Sequence, residues 1–231
     1  AGGLMRVWWL VVAVASCQVS VPAVPSEAPV IVEPSTDTPA VERVIDAAPP
    51  KAPVSPDPAF KAGDLTTSPK PKGVGGPNFL PRPYTADIIR EGLPKGSVVT
   101  FRIVKDGVEE KTRWTVIGSS LEEATFTFET WKADGTVAHK PYDRASPWDV
   151  LRDHATYPLQ ARVENTRVTV PIGERGAWLY TDHMATNAAQ VDTVRYYFGY
   201  DEPGPPLLHT VTRDGVEVFR MEITERAVPS S

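Results

Sequence analysis

The chain has 231 residues and a formal net charge of −5 at pH 7. No lysine or arginine block forms the stripe that phosphate recognition needs, which excludes nucleic acid as a partner. The single cysteine rules out an intramolecular disulfide, so any compact domain must be held by its core alone. Of the 24 prolines, 15 fall between Pro22 and Pro83, which leaves roughly the last 150 residues as the part that reads as compact.

From Met5 the chain reads "MRVWWLVVAVASC": one basic residue, Arg6, an apolar run, then the small pair Ala15 and Ser16. A charged start, an apolar centre and a small-residue cleavage region make a secretory signal. The run is too short for a bilayer span, which takes about 20 apolar residues. Val14, Ala15, Ser16 and Cys17 resemble the lipobox of bacterial lipoproteins. That resemblance implies cleavage before Cys17, lipidation of its sulfur and acylation of the new amino terminus, so that residues 1–17 are signal peptide and lipobox and Cys17 attaches the chain to a membrane. Stable anchoring takes more than one acyl signal, and a triacylated cysteine supplies it. In such lipoproteins an aspartate after the cysteine retains the protein in the inner membrane; Gln18 stands there instead, which points to the outer membrane of the cell envelope.

Residues 18–80 are rich in proline, alanine, valine, serine and glutamate and lack a helical or strand period. Proline fixes φ and removes a backbone donor, so the expectation here is an extended, disordered linker, with "VERVID" at 41–46 the one patch suited to pairing.

The antiparallel β domain is expected over 81–231. "YTADIIREG" predicts a short helix capped by Thr85 and ended by Gly92. Val99, Phe101 and Ile103 then alternate with polar residues, as in a half-buried strand, and similar runs follow to "VEVFRMEI". Asp106-Gly107, Asp134-Gly135 and Asp214-Gly215 suit tight hairpin turns, and Asn165-Thr166 is expected to make a fourth. A second helix is expected at "SPWDVLRDHA", with Ser146 as cap, Pro147 in the first helical position, Asp149 in a capping box, and Trp148, Leu151 and Ala155 on one face. The fold expected is mainly β, a single curved antiparallel sheet or half-barrel of about eight to nine strands with two short helices. The element order, with the strand, Pro-Gly, strand, Asp-Gly, strand ending, resembles the half-barrel domains of lipoprotein-carrier envelope proteins, which cradle acyl chains.

No motif announces catalysis. "IGSSL" does not form a nucleophile elbow. His139, His154, His183 and His209 show no local ligand spacing, so neither a metal nor a cofactor is expected. Asp182 and His183, neighbours on a strand, point to opposite faces. Gly73, Gly75 and Gly76 do not lie between a strand and a helix and make no phosphate loop. The reading is therefore a non-catalytic β domain that binds an apolar ligand, a lipid or acyl chain, or a protein partner. Its candidate binding residues are the strand aromatics Trp114, Phe126, Phe128, Trp178, Tyr196 and Phe198. Two alternatives stand beside it: a tethered hydrolase assembled from scattered histidines and aspartates, and a scaffold with a closed barrel.

Overall fold

The computed structural model describes residues 69–187 and 190–229, all within the unit Ala62–Ser231. Cys17, the signal segment and "VERVID" lie outside the described residues.

The first element is α1 (Ala86–Gly92), where the Thr85 hydroxyl accepts from the Ile88 amide at 3.2 Å and satisfies one of the helix's free donors. Four strands follow: β1 (Val98–Lys105), β2 (Val108–Ser119), β3 (Glu123–Lys132) and β4 (Val137–Pro147). The helix α2 (Trp148–Asp153) leads to β5 (Arg162–Val170), β6 (Gly173–Asn187), β7 (Gln190–Gly199), β8 (Leu208–Arg213) and β9 (Val216–Ala227). The β1–β2 and β8–β9 turns carry the expected Asp-Gly pairs. Their φ angles, 49° and 81° at Asp106 and Gly107 and 50° and 80° at Asp214 and Gly215, match the twist of tight hairpins. At the β3–β4 turn the Asp134 carboxylate instead accepts from the amide and hydroxyl of Thr136, at 2.9 and 2.6 Å.

All neighbouring strands are antiparallel, in the order β4-β3-β2-β1-β9-β8-β7-β6-β5. The two runs, β1 to β4 and β5 to β9, join where the first strand pairs with the last. Strands β4 and β5 form free edges, so the sheet is an unclosed half-barrel and the closed-barrel alternative does not hold.

Three local expectations are corrected. The strand β4 was not foreseen, because "VAHKPYDRASP" has no apolar alternation; its charges and Pro141 belong to an edge strand, where solvent meets one side. Asn165 and Thr166 form no turn. They pair with Trp178 and Ala177 inside one continuous β5, which the tyrosine hydroxyl of Tyr200 supports by donating to Asn165 Oδ1 at 3.0 Å. Ser146 lies within β4, and Pro147, its last residue, takes the cap position without a side-chain bond, so α2 starts one residue later than expected, and Asp149 pairs with Arg152 at 2.7 Å.

The folded part also reaches back to Pro69. The Lys72 and Gly73 amides donate to the Pro83 and Arg82 carbonyls at 3.0 and 2.9 Å, and Phe79 bridges Pro158. Pro69 and Pro81 accept from Trp178 Nε1 and the Tyr180 hydroxyl, both at 2.7 Å. Proline-rich chain here makes an ordered strap, its backbone carbonyls satisfied by indole and phenol donors.

Strand alternation places Val99, Phe101, Ile103, Trp114, Phe126, Phe128, Trp178, Tyr180, Tyr196, Phe198, Met221 and Ile223 on one face of the sheet, here the inner face. The strap, α1, α2 and the segment 155–161 lie on that face. A smaller apolar set, Val168, Val170, Leu179 and Leu208, is buried on the other face.

Candidate functional site

The inner face carries an aromatic belt, and the belt has two differently treated halves. Over β6 and β7 the rings are sealed by the chain's own cover. Tyr84 meets Trp178 and Phe198 edge-on at 5.8 and 6.1 Å, and its hydroxyl donates to the Gly199 carbonyl beside that of Glu202. Tyr157 stacks on Tyr180 at 4.5 Å and leans on Tyr196 at 5.3 Å. Burial of these phenols pushes the ionisation of Tyr84, Tyr157, Tyr180 and Tyr196 well above the ordinary tyrosine range.

Over β1 to β4 a cross-strand ladder runs outward. Phe101 lies 4.7 Å from Trp114, Trp114 lies 5.6 Å from Phe128, and Phe128 stacks on Tyr142 at 5.1 Å with the rings 15° apart. Each partner follows from register, since Val99 faces Trp114, Trp114 faces Phe128 and Phe128 faces Tyr142. Phe126 flanks the ladder, 6.1 Å from Phe128. Tyr142, on the free edge strand, is 43% exposed, Trp114 is half-buried, and Phe128 is 8% exposed. Here α1 and α2 supply the cover: Ile89, Leu93 and Trp148 are buried, and Trp148 Nε1 donates to the Ser120 carbonyl at 3.0 Å. Arg226, from β9, donates to the Gly92 and Pro203 carbonyls at 3.2 and 2.7 Å and so ties the end of α1 to the sheet; burial lowers its basicity.

The six expected aromatics thus share one face, but in two groups. Trp178, Tyr196 and Phe198 are packed under the strap, while Trp114, Phe126 and Phe128 line the ladder that leads to the open edge. Tyr142 and Tyr157 were missed, the first because it sits on the unforeseen β4, the second because it lies in a connection with no periodicity. His209 was seen only as one of four scattered histidines.

On β8, His209 faces Tyr196 across the strand pair, with ring centroids 4.1 Å apart, and Phe219 lies 4.8 Å away. Burial drops the imidazole to a pKa of about 3, so it is neutral in ordinary conditions. The other histidines lie apart: His139 on exposed β4, His154 at the end of α2, and His183 on the outer face, 3.3 Å from the Thr193 hydroxyl. Asp182 points to the inner face, away from His183, and accepts the His183 amide at 2.9 Å. Among the described residues no three metal-ligating side chains come together, and no helix is long and apolar enough to cross a membrane.

No protein-family model matches the chain, and no curated protein matches it. Among solved structures it is similar to a chain of the MucA/MucB complex of Pseudomonas aeruginosa, at 11% identity and a TM-score of 0.40, covering 62% of this chain and 56% of that one. A second is the hypothetical protein CT021 of Chlamydia trachomatis, at 10% identity and a TM-score of 0.36, covering 62% of this chain and 98% of that one. The chain therefore spans little more than half the length of the first.

Proposed function

We propose that this chain is a lipoprotein of the bacterial cell envelope, attached through lipidated Cys17 to the outer membrane and carrying a non-catalytic β domain that receives an apolar ligand, a lipid or acyl chain, on its inner face. One observation carries the binding half of this reading: the aromatic ladder of an unclosed sheet runs from buried Phe101 through Trp114 and Phe128 to exposed Tyr142 on a free edge. A ring row that ends at solvent supports this reading, because its exposed end offers an apolar chain a surface to pack on, and concave, aromatic-lined sites are where apolar ligands bind. The anchoring half stands on Val14 to Cys17. The tethered-hydrolase alternative gains nothing from the geometry, since Asp182 and His183 face apart and His139 lies on another strand.

The anchor is tested by Cys17→Ser, expected to abolish incorporation of labelled fatty acid and to move the protein from the membrane to the soluble fraction; equal labelling of both forms would refute it. The ligand is tested by titrating the Cys17→Ser chain with a fluorescent fatty acid, where saturable binding weakened by Tyr142→Ala is expected. A protein partner that displaces the probe at the same face would shift the assignment from lipid to protein.

A further inference from the structure

Within the strap, the entry segment is held differently from the loop that follows it. Residues 72–83 close on themselves through the Lys72 and Gly73 amides. They are fastened further by Leu80, whose amide donates to the Tyr157 carbonyl at 2.9 Å, and by Arg82, which pairs with Asp153 at 3.3 Å. Residues 69–71 lack such fastening. Pro69 and Lys70 are exposed and Pro71 is half-buried, and the segment is held at its two ends: Trp178 Nε1 donates to the Pro69 carbonyl at 2.7 Å, and Lys72 Nζ donates to the Tyr200 carbonyl at 3.3 Å.

Beneath that segment the surface is preformed. The Tyr200 ring stands 4.9 Å from that of Trp178 and rests against Gly176, where a Cβ would come within 2.6 Å of it; its hydroxyl is fixed by Asn165 at 3.0 Å. Next to the Tyr200 carbonyl, Asp201 is exposed, and its carboxylate has no hydrogen bond or ion pair among the described residues. Two aromatic rings, an indole donor aimed at a backbone carbonyl and a carboxylate beside a lysine read an extended chain by its carbonyls and its cations rather than by buried side chains. Aromatic-lined grooves take proline-rich segments in this way. The sequence seated here, Pro69-Lys70-Pro71-Lys72, has that chemistry. A segment held by two hydrogen bonds lifts by local opening without unfolding the sheet, and Trp178 keeps its edge contact with Tyr84 when it does.

We infer that Trp178, Tyr200 and Asp201 form a docking site for an extended proline–lysine segment of a partner protein, and that residues 69–72 are its autoinhibitory occupant in cis. A partner gains what the resident lacks, since the cis segment leaves Asp201 unpaired and a trans segment can set a lysine on it. A second copy of this chain brings only the sequence already seated there. The site lies in the strapped half of the sheet and is independent of the ladder and its ligand.

The test uses the full chain carrying Cys17→Ser and the peptide acetyl-PKPKPK-amide, followed by the indole N–H resonance of Trp178 in NMR. In this parent chain the peptide competes with a tethered occupant and binds weakly. Lys70→Glu together with Lys72→Glu sets two carboxylates beside Asp201 and lifts the segment, and should tighten the peptide by at least about tenfold, the factor that one charge-assisted hydrogen bond supplies. Asp201→Lys, placed in the parent chain, repels the resident lysines and should exchange the preference, binding acetyl-PEPEPE-amide in place of the lysine peptide. All three positions are exposed, so the variants keep the fold, read as an unchanged circular dichroism spectrum. Equal affinity of the lysine peptide for the parent and for the double variant would overturn the autoinhibition. A Trp178 resonance that no peptide moves, or an Asp201→Lys chain that still prefers the lysine peptide, would overturn the site. A parent chain that dimerises as its concentration rises, with the Trp178 resonance shifting in step, would assign the site to a second copy and overturn the partner assignment.

Discussion

The two halves of the inner face are built from the same kind of residue, yet one is sealed and the other leads to solvent. In the β5–β7 half, Trp178, Tyr180, Tyr196 and Phe198 lie under a strap and a connecting segment that bring Tyr84, Tyr157 and the backbone carbonyls of Pro69 and Pro81. In the β1–β4 half, the ladder from Phe101 to Tyr142 is covered by two short helices and ends on a free strand. A half-barrel with nine strands has more apolar face than two helices of seven and six residues can hide. The strap closes one side, and under the proposed function the other is where a ligand enters. Aromatic content therefore does not mark the site; the cover does.

The comparison breaks most visibly if the halves respond alike to truncation. Trp178→Ala removes a ring that touches Tyr84 and Tyr200 and holds Pro69, and should destabilise the domain by about 3–5 kcal/mol, read from urea unfolding. The next effect is pH. The unfolded imidazole of His209 takes a proton near its ordinary pKa of 6.5, while the folded one refuses it down to about 3. Between those values the unfolded state binds more protons, so stability falls as pH is lowered, by about 1.4 kcal/mol per unit, and is unaffected by this group above 6.5. His209→Phe should flatten that slope; an unchanged slope would show that burial does not keep this imidazole neutral. Thr85→Ala removes the cap of α1, and with it about 1 kcal/mol, by releasing the Ile88 amide. The smallest change in stability is expected for Tyr142→Ala, under about 1 kcal/mol for a partly exposed ring on the edge strand. It should nevertheless weaken acyl-probe binding more than any of the others, and a loss of stability as large as that of Trp178→Ala would erase the distinction between the halves.

Much of the sheet was legible because alternation and Asp-Gly turns are local signals. The pairs at 106–107 and 214–215 fold as their residue types require, and Thr85 caps where a threonine before an apolar turn should. What escaped the sequence was set by neighbours rather than by local pattern. The strand β4 is a strand because β3 offers it a partner, although its own residues, with Lys140 and Pro141 in the middle, show only the marks of an edge. Asn165 and Thr166 look like a turn until Tyr200 and Trp178 fix them in a straight pairing. Proline content suggested an extended linker up to residue 80, whereas the donors that hold 69–81 are an indole and a phenol about a hundred residues away in sequence. The candidate aromatics were found because they lie on predicted strands; which of them are covered and which lead to the free edge depends on the elements packed over them, and no period in the sequence encodes that. His209 shows the same limit, since its meaning comes from Tyr196 and Phe219 on either side of it.

The central claim, that the ladder half of the inner face is the binding face, is tested most directly by following the indole N–H resonances of Trp114 and Trp178 by NMR while the Cys17→Ser chain is titrated with 1-dodecanoyl-glycerol. The two reporters sit on the same sheet face, one in each half. A saturable shift of the Trp114 indole with the Trp178 indole nearly unmoved is the result predicted; no saturable shift at Trp114, or a larger one at Trp178, would contradict the claim.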